Sequence, residues 1–295
     1  MSSLSQYVVS EASFLSSDLK SEIYYCTYGS KKPKIHFYLT HGAIEHHRRH
    51  EDLILYLLKN FGQDVSVSVW DLVGHGLSGG VRSHVDKFET YIHDLLKFID
   101  ECSLINSEKT KNFLLAHSLG GLITLTAVLD SQFKINLPIS GLIFSSPCIK
   151  PIMVLGKTSE FLLEKLSLLS NKIHLPIMYH GKDLTRDLAR ANDFDSDTLI
   201  PKFITVGMAQ AIISASAKVK GLSYYLSIPS LFLIAEDDKI VDEKSTTLFA
   251  QSADKGLVTI KKYPQHYHEL WNELDRKEIF ETAKLWINKI VKDRS

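Results

Sequence analysis

The stretch NFLLAHSLGGLITLTAVL, residues 112–129, decides how the rest of the chain is read. Apolar residues run unbroken from Phe113 to Ala116, as in a buried strand, and Gly120-Gly121 then open a segment that reads as a helix. Between the two, the chain has only His117-Ser118-Leu119 in which to turn. A serine on so tight a strand-to-helix turn has its hydroxyl thrust above the sheet, and the turn demands small residues two positions to either side. Ala116 and Gly120 meet that demand, with alanine where glycine is usual. The competing reading is a glycine-containing helix start after an ordinary strand.

Outward from this turn the chain alternates. Apolar, β-branched runs occur at 35–39, 65–70, 113–116, 142–144, 230–235 and 257–263, and helical patterns at 51–59, 88–102, 119–131, 243–252 and 273–291. Two earlier β-rich segments, 6–9 and 22–28, suggest a hairpin. Such alternation implies a largely parallel sheet with helices on both faces, and sites at the carboxyl ends of its strands. The rhythm breaks between 148 and 227, where no convincing strand stands out. Residues 157–172 read there as an amphipathic helix, with more helical material at 204–218. The expectation is an α/β core, 1–147 and 228–295, with a helical cap, 148–227, over the sheet's C-terminal edge.

Composition narrows the function classes. Lys plus Arg and Asp plus Glu both number 34, so no long-range field attracts a polyanion, and nucleic acid is not expected as a partner. Cys26, Cys102 and Cys148 are odd in number and lack metal-ligand spacing, which suits a reducing compartment. The first residues show neither a basic n-region nor an apolar h-region, and no run approaches the roughly 18 apolar residues of a membrane span. A cytoplasmic protein is expected, open to peripheral contact with the inner membrane surface through its cap but without an anchor.

Six motifs in order carry a family resemblance: THGAIEH (40–46), WDLVGHGLSGG (70–80), AHSLGG (116–121), LIFSSP (142–147), LIAEDDKIVD (233–242) and YHELWNE (267–273). From about Tyr24 to the C-terminus the chain resembles the α/β-hydrolases, and within them the monoacylglycerol lipase and lysophospholipase group. The implied fold is a mostly parallel eight-stranded sheet with a helical cap. The implied activity is hydrolysis of carboxylic esters of single-chain lipids through an acyl-enzyme, with no cofactor.

A serine hydroxyl needs a base, and the base a third group to hold its tautomer. In this fold they follow in the order serine, acid, histidine. Glu236, Asp237 and Asp238 all follow the strand at 230–235, and periodicity does not choose among them. The resemblance favours Asp238, in Asp238-Lys239-Ile240-Val241, with Asp237 as the alternative. His266 and His268 both follow the last strand. The resemblance selects His268, since His-Glu-x-x-x-Glu (His268, Glu269, Glu273) begins the group's final helix. His266, His117 and His75 read as loop or packed histidines.

The oxyanion needs backbone N–H donors. One is expected from Leu119, and by resemblance the other from Ala43. Glu45, His46 and Arg49 match the group's Glu-His…Arg pattern. Glu45 and Arg49, four apart, are expected to pair across a helical turn, and His47 and His50 to lie at the surface. Leu162, Leu163, Leu166 and Leu169 are candidates to line an acyl channel or meet a membrane, against plain packing of the cap. No metal is expected: His-Glu-x-x-His is absent, and Asp193, Asp195 and Asp197 lack EF-hand spacing. A short-chain carboxylesterase, a proline-iminopeptidase-like hydrolase and a hydrolase-fold small-ligand receptor are the alternatives. The oligomeric state is left open.

Overall fold

Along the central strands, side chains alternate between two apolar layers, and that alternation builds the molecule. The computed structural model describes residues 4–152 and 159–293. The chain begins with β1 (Val8–Leu15), β2 (Glu22–Gly29), β3 (Ile35–Thr40), α1 (Glu51–Asn60) and β4 (Val65–Trp70). It continues through α2 (Phe88–Ser103), β5 (Lys111–His117), α3 (Leu119–Leu129) and β6 (Ile139–Ser145). It then leaves the sheet for α4 (Ser159–Leu169), β7 (His174–Pro176), α5 (Gly181–Leu184), α6 (Leu188–Ser196), β8 (Phe203–Thr205) and α7 (Val206–Val219). The return is made by β9 (Ser230–Ala235), α8 (Glu243–Ser252), β10 (Val258–Tyr263) and α9 (Arg276–Asp293).

The main sheet has eight strands in the order β1-β2-β4-β3-β5-β6-β9-β10. The hairpin β1–β2 and the β2–β4 pair are antiparallel, and every later neighbour is parallel. Phe37, Leu39, Phe113, Leu115, Leu231 and Leu233 face the layer closed by α1 and α9. Tyr38, Leu114, Ala116, Phe232 and Ile234 face the layer closed by α2, α3 and α8, into which the insertion also packs. Helix α3 is buried along almost its whole length, as a helix apolar on every side must be.

The insertion is not wholly helical. Strands β7 and β8 pair antiparallel with Leu175 opposite Ile204. Three residues each are too few to show a two-residue period, so the sequence does not display them. Helix α4 occupies the centre of the expected 157–172 segment, whose first two residues lie outside those described. Its leucines take separate places. Leu163 is 1% exposed and Leu166 half-buried, both packed in the cap-side core, while Leu169 is 80% exposed. The side chain of Leu162 lies outside the described residues. Among the described residues no helix is long and apolar enough to cross a membrane.

Candidate active site

Parallel pairing brings the ends of β3, β5, β6 and β9 to one edge, with Thr40 beside Ala116 and Ala116 beside Phe144. Ser118 sits past the end of β5 at φ 48° and ψ −114°. A non-glycine residue there carries strain of about 1–3 kcal/mol. The turn is pinned on both sides: Ser118 N–H donates to Ser145 O at 3.0 Å, and Ser118 O accepts from Cys148 N–H at 2.9 Å. The need for glycine at 120 is steric. A Cβ there would lie 2.4 Å from Thr40 O and 2.6 Å from His41 O, both backbone. Helix α3 thus runs against the end of β3, leaving the Leu119 amide in its first turn, where N–H groups have no partner within the helix.

The serine hydroxyl donates to His268 Nε2 at 2.8 Å, and His268 Nδ1–H donates to Asp238 Oδ2 at 2.7 Å. The other carboxylate oxygen, Oδ1, accepts from Ile240 N–H at 2.8 Å and Val241 N–H at 3.0 Å. Those two amides fix the carboxylate, which fixes the tautomer of the ring, which in turn leaves Nε2 free to accept. Burial disfavours a charge on His268. The charge and hydrogen bond of Asp238, with Glu269 and Glu45 nearby, outweigh burial and raise its pKa above the ordinary histidine value. Asp237 is exposed and stands outside this relay, its N–H donating to His266 O. His266 is tied to Pro264 O at 2.7 Å and Asp275 at 2.9 Å.

Beyond His268 the chain makes a 3-10 turn, Leu270–Asn272, before α9. Glu273 holds this loop by accepting from Tyr267 N–H at 2.8 Å and from Arg186 Nε of the insertion at 2.9 Å. Glu269 accepts from Asn272 at 2.8 Å and from Arg49. Both glutamates of the His-Glu-x-x-x-Glu pattern are therefore braces.

The HGAIEHHRRH loop, 41–50, departs from expectation in two respects. His47 and His50, expected at the surface, are 3% and 2% exposed. His47 donates through its amide (2.8 Å) and Nδ1 (2.9 Å) to Asp71, and His50 packs edge-on against Trp271, 5.4 Å between ring centres. Glu45 and Arg49 do not pair. The backbone turns left-handed at Ile44, φ 56°, and passes into a 3-10 turn at His47–His50, so an α-helical i,i+4 geometry is never set up. Glu45 instead accepts from Gly42 N–H, and Arg49 reaches Glu269 and, at 3.1 Å, Arg190 O. His46 donates to Asp197 Oδ2 at 2.8 Å and joins the loop to the insertion.

His41 accepts from Leu72 N–H at 2.9 Å and donates to Gly42 O at 2.7 Å, a pair of bonds only the neutral ring makes. Burial, against the pull of Asp71, accordingly lowers its pKa to about 3. Among the described residues no group of three histidine, cysteine or acidic side chains is placed to hold a metal.

Ser118 opens onto a narrow cavity of about 70 Å³. The core supplies Ala43, Ile44, Leu119 and Ile240 to its wall, and the insertion supplies Cys148, Pro151, Pro176, Ile177, Tyr179, Ile204 and Ile212. Of the leucines expected as lining, Leu163, Leu166 and Leu169 are not among the described wall residues, where isoleucines of β8, α7 and the loop after β7 stand instead. Helix α4 packs on α7, and Leu163 and Leu166 join the apolar layer there. No periodic signal marks the true lining, because it is gathered one or two residues at a time from separate elements. Tyr179 stands one residue after the pair Ile177-Met178, and nothing in its sequence context sets it apart.

A family profile described as serine aminopeptidase, S33, matches residues 31–275. The phospholipase YtpA of Bacillus subtilis is 26% identical over 272 residues, spanning 90% of this chain and 99% of its own. The monoglyceride lipase of Rattus norvegicus is 31% identical over 257 residues, 85% of this chain and 81% of its own. A soluble variant of the Saccharomyces cerevisiae monoglyceride lipase, solved with a substrate analog, superposes with a TM-score of 0.79 at 21% identity, covering 96% of each chain.

Proposed function

The chain belongs to the serine aminopeptidase S33 family and has its α/β-hydrolase fold, and on that premise we propose that it hydrolyses carboxylic esters of single-chain lipids, monoacylglycerols or lysophospholipids. The observation that carries this reading is the hydrogen-bonded chain Asp238–His268–Ser118 opening onto an apolar cavity under the insertion. Residues 1–147 and 228–295 form the catalytic core in this reading, and 148–227 the cap.

In the first step His268 Nε2 takes the serine proton as Ser118 Oγ attacks the ester carbonyl. The carbonyl oxygen becomes an oxyanion, received by the amides of Ala43 and Leu119. Collapse of the tetrahedral intermediate releases the alcohol, which leaves with the proton from His268. Water then attacks the acyl-serine by the same route and frees the fatty acid. The apolar wall takes the acyl chain, each buried methylene contributing about 0.8 kcal/mol. Leu168 and Leu169 project into solvent from α4 and form the surface with which the cap would meet a lipid layer.

A peptidase of this family would need an acidic group in the cap to receive a substrate amine. The cap's aspartates are committed elsewhere: Asp183 to Lys239, Asp187 to Arg276, Asp193 to Arg190, Asp195 to Gly181 N–H and Asp197 to His46. Among the described residues no carboxylate lines the Ser118 cavity, which favours the ester reading. A matched panel tests it: a monoacylglycerol, lysophosphatidylcholine, a short p-nitrophenyl ester and an aminoacyl amide. Turnover of the lipid esters, lost in Ser118→Ala, is expected. Preferential cleavage of the amide would overturn the assignment.

A further inference from the structure

Among the described residues, six non-glycines hold a positive φ: Leu19, Ile44, Ser83, Ser118, Ser146 and Gln265. Ile44 is the one β-branched side chain of the six. Branching at Cβ crowds the neighbouring carbonyl in the left-handed region, so glycine is the ordinary occupant of such a place. Strained residues persist where the surrounding structure holds them, and they gather at functional sites. Ser118 is one such residue, and its strain has an evident purpose in presenting the nucleophile. For the loop alone, glycine at position 44 would make the same turn with less strain.

What isoleucine adds is volume. Ile44 follows Ala43, is 1% exposed, and shares the wall of the cavity with Ser118 itself. That cavity is about 70 Å³, so the presence or absence of one four-carbon side chain changes it by a large fraction. Across it stand Ile177, Ile204 and Ile212 from the insertion. A branched, stiff side chain resists rotating out of the way, as a leucine or methionine would not.

We propose that Ile44 is a specificity-determining residue, a stop beside the nucleophile that limits the length of acyl chain the site accepts. The proposal rests on the ester-hydrolase reading above and adds to it which acyl groups are admitted and which side chain decides.

The test compares palmitoyl and butyryl p-nitrophenyl esters as a ratio of kcat/KM values, in the wild type, Ile44→Gly and Ile44→Ala. Glycine removes both strain and volume; alanine removes volume and keeps a Cβ, so it serves should the glycine variant fold poorly. The palmitoyl-to-butyryl ratio should rise about tenfold or more in both. A ratio unchanged within about twofold, or an equal fall for both esters, would overturn the proposal and leave Ile44 as loop packing.

A second measurement reads the cavity without chemistry. Palmitate and butyrate are titrated as thermal-shift ligands on Ser118→Ala and on Ser118→Ala combined with Ile44→Ala. A stabilisation gained for palmitate alone in the double variant supports the stop, and no gain overturns it. Should that gain occur while the wild type turns over neither ester, the hydrolase reading fails and the assignment of the cavity stands.

Discussion

With Ser118 on one ring nitrogen and Asp238 on the other, His268 can act as a base only while its Nε2 is unprotonated. Asp238 raises its pKa above the ordinary value of about 6.5. Activity is therefore expected in full above that raised pKa and is lost as pH falls through it. The acid limb of kcat/KM for a short ester should have its midpoint above about pH 6.5. A flat profile down to about pH 5 would exclude His268 as the base. The neighbouring acids separate by mutation. Asp238→Asn should lower kcat by about three to four orders of magnitude, because the ring is then held in the wrong tautomer. Asp237→Asn, altering an exposed side chain outside the relay, should change it less than about threefold. The choice between these two could not be made from spacing. It depends on which carboxylate the turn after β9 swings under the ring, and the amides of Ile240 and Val241 decide that.

Segments rather than single groups hold the relay in place, and they meet through buried charge. Arg49, from the loop after β3, pairs with Glu269, from the loop after β10, more than two hundred residues along the chain. Arg49→Leu strands the Glu269 carboxylate in a buried site and should lower unfolding free energy by about 3–5 kcal/mol, measured by urea titration. A change below about 1 kcal/mol would mean that Glu269 finds its partner elsewhere. Most core elements were legible because a helix or strand buried on one face writes its period into the chain. For α8 the two agree residue for residue, and for α1 and α2 to one residue. The loop at 41–50 was less legible. Its two arginines and four histidines look like a solvated run, yet His46, His47 and Arg49 each find a partner in a distant element, Asp197, Asp71 and Glu269, while His50 packs its ring on Trp271. Polar composition implies exposure only where no such partners exist.

Over the whole molecule, buried histidines set the response to acid. Burial lowers the pKa of His41 to about 3, and those of His36, His75 and His117 to about 4. In the unfolded chain each takes up a proton near pH 6.5. Between that pH and about 4 the unfolded state binds more protons, so stability falls with falling pH by about 1.4 kcal/mol per pH unit for each histidine. His268, with its pKa raised, works in the opposite sense. Urea unfolding should lose several kcal/mol between about pH 6.5 and 4.5, above the range of ordinary carboxylates. A stability constant over that interval would show that these rings take up protons within the fold. The sequence by itself determined the layered α/β architecture, the serine on its turn and the order of the motifs around it. Each of these is local, written in spacing, residue size and strand–helix alternation. Local spacing left the carboxylate open and the family resemblance favoured Asp238, which meets His268, whereas only the tertiary structure decided which side chains wall the cavity and how the histidine-rich loop is buried. Those outcomes depend on contacts between residues far apart in the chain, and no local pattern encodes which distant partner a side chain will find.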